Sequence, residues 1–531
     1  MANQTINRSG RSHNYTLPAP TGGLNVRDGL DTMSETDAIV MDNYYPSETK
    51  VCLRGGYRAY ALNDDKVKVE TLIEFRHADG DRLFACGNGK IWDVSTPADI
   101  REVSSDHQYN NWQYVQFKDR ILACNGYDKP LSWQKDEEGE WVWKEAEFTG
   151  SGLDPQKLIN VAMSKQRLFF VEHNSLKCWY SESVGEVQGT LMELDFSALV
   201  TRGGWPQGWA SGCLQAVAGW TQDGGQGIDD LTLFITSEGE VLVYAGSDPS
   251  NADDWSLKGK YYVSRPIGYR CTFQYRGDVV MISEDGYVPL SQVMPLAQGG
   301  TAGLAYSDKI RGLVLERVRD NKTLPGWQGI IYPRGGYALF NVPVRKQFEQ
   351  HVINLSSGAW CRFTNILSLC WGLLSGRLYF GSETGVYLFD EGYSDNGLHI
   401  LGNIHQAYSD FGCGNLKKVQ MINPRTKSST RFALNIYVNT DFDDSEQGYQ
   451  ENIGNTGLTK WAGGGVSTKW SSLGMPKGTK WATLKGAVYN RWICCSASGF
   501  KCSVVFKTKT RGNLIEWHNT GIRYEQGGGI L

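Results

Sequence analysis

One local plan recurs along residues 66–400 and constrains the fold more than any other feature of the chain. A polar or charged residue precedes an apolar run. A few turn residues follow, often Gly or Asn, and a second run ends in aromatic or valine-rich sequence. The plan appears as GDRLFACGNGKIWDVS from Gly80, KDRILACNGYDKPLSW from Lys118, KQRLFFVEHNSLKCWYSES from Lys165 and DDLTLFITSEGEVLVYAGSDPS from Asp229. It continues as RGDVVMISEDGYVPLS from Arg276, GGYALFNVPVRKQFEQHVINLSSGAWCRFT from Gly335 and SGRLYFGSETGVYLFDEGYSD from Ser375. Each is the pattern of a β-hairpin whose strands bury at least one face. Successive starts scatter around the roughly 40–50 residues of a four-stranded propeller blade. One twisted blade cannot bury both of its faces, whereas blades packed radially do so without long open edges. The pattern therefore predicts an all-β chain with an irregular β-propeller of six or seven blades over residues 66–400. Unrelated hairpins assembled into a sandwich are the competing arrangement.

The flanks read differently. Residues 1–65 are expected to form an N-terminal arm followed by a loop–helix–loop segment. NRSGRSHN is polar and basic, and the prolines of TLPAPTGG forbid a helix there. Ser34-Glu35-Thr36-Asp37 resembles a capping box ahead of AIVMDNYY, so a short helix is expected to end before Pro46. Residues 401–531 change texture again. RFALNIYV and KCSVVFKTKT alternate apolar and polar residues, as half-buried antiparallel strands do, and predict a separate β-sandwich-like domain. The 62 glycines and the 12% of aromatic residues among 531 suit many short strands joined by tight turns.

Charge and motif content exclude several function classes. A net charge of −4 argues against a protein that grips nucleic acid by neutralising many phosphates, though not against one that encloses DNA without holding it. The N-terminus lacks an apolar run of the secretory kind, and ILSLCWGLL from Ile366 is far short of a bilayer span, so a chain made in a cytosol with no membrane span is expected. No P-loop, H-E-x-x-H, G-x-S-x-G or dinucleotide fingerprint occurs. Cys494, Cys495, Cys502 and His518 lack zinc-ligand spacing, and the 12 cysteines read as buried free thiols. The acidic run DFDDSEQGYQE from Asp441 lacks the EF-hand glycine and glutamate, because Glu446 and Asn452 stand at those positions, and reads as a solvated hairpin tip. Thr221-Gln222-Asp223-Gly224-Gly225 matches half of a turn common in glycosidase propellers but lacks its closing aromatic. Thr-Lys-Trp occurs at Thr459–Trp461, Thr468–Trp470 and Thr479–Trp481; adjacent strand residues face opposite ways, which favours inward tryptophans and solvated lysines over a stacking surface. No catalytic, cofactor-binding or metal-binding residue is expected.

The segment GGLNVRDGLDTMSETDAIVMDNYYPSETKVCLRGGY, residues 22–57, carries no chemistry either. Its tyrosine pair, proline and arginine are of the kind that anchors interfaces, or that folds a segment back on its own chain. Tyr44, Tyr45, Pro46 and Arg54 are the candidate interface or fold-closing residues.

The residues Gly22–Asn25, Asp37-Ala38, Met41–Pro46 and Arg54–Tyr57, followed by a propeller-like middle and an all-β end with YSDFG from Tyr408, resemble a family. These are the tail hub or nozzle proteins of short-tailed bacteriophages, also called tail tubular or packaged-DNA stabilisation proteins. The resemblance implies a structural virion protein that forms a homo-hexameric tube below the portal and its adaptor ring. It implies that the tube extends the DNA channel, retains the packaged genome and conducts it during ejection. Tail fibres or a needle would dock on it, and double-stranded DNA would pass through without sequence-specific binding. No cofactor is implied. The competing function is a carbohydrate-binding or glycan-cleaving propeller acting on host surface polysaccharide, and a third is a generic interaction scaffold.

Overall fold

The computed structural model describes residues 12–200, 212–223, 228–275, 277–293, 305–345, 347–429, 432–443, 449–452 and 487–527. The chain is all-β in class, with 54% of residues in strands and 5% helical. It divides into two compact units. One comprises residues 1–58, 352–364 and 390–531, and the other residues 59–351 and 365–389. The N-terminal segment and the C-terminal region, expected as separate parts, thus contribute to one unit.

Among the described residues, the 59–389 unit holds seven consecutive groups of strands. The first runs through Thr71–Phe75, Arg82–Gly87, Lys90–Asp93 and Arg101–Ser104. The second comprises Gln113–Phe117, Arg120–Cys124, Leu131–Lys135 and Trp141–Glu145. The third comprises Leu158–Ser164, Arg167–Glu172, Lys177–Ser181 and Gly189–Asp195, with Phe148–Thr149 added in parallel to the last. The fourth is Leu214–Asp223, Ile228–Thr236, Glu240–Ala245 and Ser256–Tyr262. The fifth has three strands, Thr272–Tyr275, Asp278–Ser283 and Gly286–Pro289, with the helices Leu290–Val293 and Arg311–Asn321 after it. The sixth begins with Gln328–Tyr332 and Tyr337–Val344. The seventh, Cys370–Leu374, Arg377–Ser382 and Gly385–Phe389, is completed by Tyr57–Ala61, the strand that runs across the boundary at residue 59. Six of the seven stretches recognised in the sequence supply a pair of neighbouring strands to one group, and the stretch from Gly335 supplies three successive strands, Tyr337–Val344, Gln347–Asn354 and Trp360–Thr364.

Each group packs on the next by apolar clusters and by side-chain clamps. Gln116 Nε2 donates to Arg76 O at 2.6 Å while its Oε1 accepts from Arg76 N at 3.0 Å. Phe117, Leu122 and Cys124 pack with Leu158, Val161 and Leu168. Val217 N reaches Asn160 Oδ1, and Gln274 Nε2 donates to Gly219 O at 3.0 Å. Tyr287 stacks on Phe340 at 3.7 Å between ring centroids. Gln328 Nε2 donates to Trp371 O at 3.1 Å and its Oε1 accepts from Trp371 N at 3.0 Å. The seventh group packs back on the first, with Cys370, Tyr379 and Val386 against Val69, Leu72 and Leu83. A clamping amide lets two backbones that are too far apart for a ladder satisfy each other's polar groups.

The other unit contains two large arrays of strands. In one, Lys417–Ser428 and Ile515–Gln526 pair along most of their length. Ser12–Pro18 lines up on Ile515–Gln526, with Ser12 opposite Glu525 and Pro18 opposite Asn519. Val51–Leu53 and Tyr44–Pro46 extend the same array. In the second, Gly23–Leu24, Asp37–Asp42, Ile400–Gln406, Cys502–Thr510 and Ala433–Thr440 follow in order. Phe506 of the second array stacks on Trp517 of the first, ring centroids 4.6 Å apart.

Two expectations for the N-terminal segment need correction. The described part of the arm, Ser12–Pro18, is a paired strand. The expected helix is absent: Asp37–Asp42 is a strand held between Gly23–Leu24 and Ile400–Gln406. Ser34 does not cap a helix; its Oγ accepts from Thr36 N in a local turn. Ile39 and Val40 are β-branched, and pairing on both sides outweighs a weak local helix signal. The cysteines are free, but only seven of the 12 are buried; Cys52, Cys213, Cys413 and Cys495 are half-buried and Cys494 is exposed, while burial pushes the Cys271 and Cys370 thiols up to about 12.

Candidate functional site

The segment from Gly22 to Tyr57 is built around close backbone approaches. Gly23 lies opposite both Asp37 and Trp360 and adopts φ +81°. A Cβ at this position would lie 2.5 Å from Trp360 O and 2.7 Å from Trp360 N, so only glycine fits without a shift. Asn25 is fully buried, and its Nδ2 donates to Asp37 Oδ2 and to Asp28 Oδ2, both at 2.8 Å. Its Oδ1 accepts from the backbone of Arg27 and Asp28, which fixes the turn.

Asn43 is the pivot of the next stretch. It sits at φ +60°, a region asparagine tolerates better than most residues. Its Oδ1 accepts from Arg54 Nε at 2.7 Å and from Thr364 N at 2.8 Å. Its Nδ2 donates to Thr364 Oγ1 and Leu401 O, both at 2.8 Å. Arg54, only 3% exposed, donates from Nη1 to Asp395 Oδ1 at 2.8 Å and from Nη2 to Asp395 Oδ2 at 2.7 Å. Nη1 also reaches Gly55 O and Nη2 reaches Thr364 O. With the bond to Asn43, every guanidinium N–H has an acceptor, in the two-pronged geometry arginine offers a carboxylate.

The other candidates divide by exposure. Tyr44 is fully buried, its hydroxyl 2.8 Å from Thr508 Oγ1 and its ring edge-on to Phe506. Burial pushes its phenol well above the usual tyrosine range. Pro46 is buried and its carbonyl accepts from Asn354 Nδ2 at 2.8 Å. Tyr45 faces the other way in the strand and is half-buried. Tyr44, Pro46 and Arg54 are therefore engaged inside their own unit; Tyr45 keeps some exposure, yet burial also pushes its phenol well above the usual tyrosine range. Beside them, Glu516 receives Lys50 Nζ at 2.7 Å and Lys427 Nζ at 3.1 Å. Burial alone would raise its carboxyl, but the two lysine hydrogen bonds outweigh burial and hold it below the usual range.

Sequence reasoning missed Asn43, Thr364 and Asp395. An asparagine before YYP was a legible sign of a left-handed position. Asp395 gives no local signal, because its role depends on an arginine 341 positions away. Of the remaining expected features, Asp441 Oδ1 accepts from Phe500 N and Lys501 N and so ties two loops together. Cys502 is buried while Cys494 is exposed, and no group of three His, Cys, Asp or Glu that could hold a metal occurs among the described residues. The Thr-Lys-Trp triplets, Glu446, the side chains of Thr221, Gln222 and Asp223, and Gly224 and Gly225 lie outside the described residues. No described helix is long and apolar enough to cross a membrane. Neither a protein-family model nor a curated protein matches the chain.

Proposed function

We propose that this chain is a catalytically inert structural subunit of a hexameric tail nozzle, the tube that extends the DNA channel of a short-tailed bacteriophage. The observation that carries the reading is the packing of the residues behind the resemblance. Gly23, Asn25, Asp37, Asn43, Tyr44 and Arg54 are spread over a segment without chemistry, yet each is fixed by a buried hydrogen bond or a close backbone approach. Such residues specify a fold rather than a reaction, so a likeness in them is a likeness of architecture. In this reading the 59–389 unit is a seven-bladed propeller whose seventh blade is closed by Tyr57–Ala61, and the other unit is a β-sandwich-like domain. The succession of seven strand groups, with the seventh packed on the first, supports that geometry. A net charge of −4 suits a sleeve that duplex DNA must traverse, since each phosphate neutralised would add salt-dependent affinity and slow passage.

A cyclic ring needs two different surfaces, one on each neighbour. Tyr45 is the residue of the segment assigned to such a surface, alongside portal-adaptor and fibre or needle contacts elsewhere. Electron-microscopy class averages of the purified protein, alone and mixed with a portal–adaptor assembly, test the proposal. Six-fold rings around an axial opening wide enough for a duplex, roughly 20–30 Å, are expected. A stable monomer in both conditions, or release of sugars from host polysaccharide by the purified chain, would overturn it.

A further inference from the structure

Where the first strands of the groups in the 59–389 unit converge there is a cavity of 210 Å³, half open to solvent. At roughly 30 Å³ per water it has room for about seven water molecules or one small solute. Its lining is largely polar and includes Gln113, Tyr114, Asn160 and Arg270.

Arg270 sets the chemistry. It is partly buried, and no carboxylate forms an ion pair with it among the described residues. Its Nη2 donates to Thr71 Oγ1 at 2.7 Å and Trp112 O at 3.2 Å, and both Nη atoms approach Glu70 O at 3.4–3.5 Å. These are neutral acceptors, and Nε has none. The neighbouring carboxylates are committed elsewhere: Glu70 to Lys68 and Asn110, and Glu74 to Arg76. A guanidinium held by backbone and hydroxyl oxygens keeps its full charge, with hydrogens left for a further acceptor.

One more donor belongs to the lining. Tyr114 accepts from Glu74 N, which leaves its own proton undonated, and burial raises its phenol so that the proton stays on. Trp112 contributes its carbonyl, already taken by Arg270, while its indole packs in an apolar cluster with Ile73, Phe84 and Ile121.

The geometry points to this cavity as a binding site for a small oxyanion, a carboxylate or phosphate group carried by a molecule no larger than a few carbons, with Arg270 as the charged anchor and Tyr114 as a second donor. A bidentate carboxylate or phosphate supplies a counter-charge and acceptors for the open hydrogens of Arg270. The cavity lies within one unit, and the inference stands whether or not the chain forms a ring.

Titration calorimetry of the full chain with inorganic phosphate, succinate and, as a neutral comparison, glucose tests the site and tells the two anion sources apart. One of the anions is expected to bind saturably at one site per chain at millimolar concentration and to weaken with added salt, while glucose does not bind. Binding of neither anion, or of glucose in preference to both, would overturn the assignment. Arg270→Gln is expected to lose at least about tenfold in affinity. Because Arg270 also ties Thr71 to Trp112, that variant can fail to fold; Tyr114→Phe, which removes one hydroxyl, then decides. Its affinity is expected to drop a few-fold, and wild-type affinity in Tyr114→Phe would remove the site from this cavity.

Discussion

Arg54 and Asp395 show how much one pair can be asked to hold. Both are nearly excluded from solvent, with side-chain exposures of 1% and 5%. Removing one partner strands the other as a buried charge, which typically costs about 3–5 kcal/mol. Asp395→Ala is therefore expected to lower the unfolding free energy of its unit by that order, read from a urea titration. The double substitution Arg54→Met with Asp395→Leu is expected to recover much of the loss, since no charge remains to be stranded. Tyr44 and Tyr45 part company at the same scale. Tyr44→Ala opens a cavity and removes the bond to Thr508, at about 3–5 kcal/mol. Tyr45 is half-buried, and Tyr45→Ala is expected to cost less unfolding free energy than Tyr44→Ala while it weakens the proposed ring, which sedimentation would read. Glu516 adds a pH dependence. Its carboxyl is depressed in the folded chain, so its contribution is complete above the unfolded value near pH 4.3 and fades as pH falls through the lower folded value. Glu516→Gln is expected to flatten the loss of stability on acidification below about pH 4.5, measured as urea midpoints across that range.

At the scale of elements, the clamping glutamines are as informative as the strands they join. Gln328 satisfies both the N–H and the C=O of Trp371, a residue that is almost wholly buried. Gln328→Leu would leave both groups without partners, at about 1–3 kcal/mol each. The Trp371 amide is expected to exchange with deuterium faster in that variant. Gln116→Leu is expected to do less, because its bonds to Arg76 lie where water can replace them. The strands themselves were unevenly legible. Arg167–Glu172, Glu240–Ala245 and Asp278–Ser283 are buried on both faces and read as continuous apolar runs, so the seven hairpins stood out. Arg101–Ser104, Gly189–Asp195 and Ser256–Tyr262 are largely exposed, and their polar sequences hid them. Ser34-Glu35-Thr36-Asp37 misled because a capping pattern is local, whereas the strand it precedes is decided by partners at Gly23 and Gln406. The interface candidates were visible as residue types, but the asparagine and aspartate that hold Arg54 depend on contacts that no spacing reveals. The clamps and the cavity were equally invisible, since both are made by residues from several groups of strands.

For the whole molecule, the decisive point is that one unit is assembled from three stretches of chain. Ser12–Pro18 covers most of one edge of Ile515–Gln526, which Lys417–Ser428 covers on the other side. Deleting residues 1–18 would leave a long unpaired strand edge, the feature that templates aggregation. The truncated chain is expected to scatter light on warming at a lower temperature than the full chain. The 59–389 unit draws on a much shorter span of sequence and is expected to keep its near-ultraviolet circular dichroism contribution in the truncated protein.

The pairing of Ser12 with Glu525 also sets a clock. A ribosome releases strands in order, and domains generally fold as units, the earlier-made first. The seven strand groups have all been made once Phe389 is out, but the arrays that use Ser12–Pro18 wait for partners at 515–526. Subunits still being translated thus lack the completed surface around Tyr45. In the proposed ring, a growing chain would be kept from joining by timing.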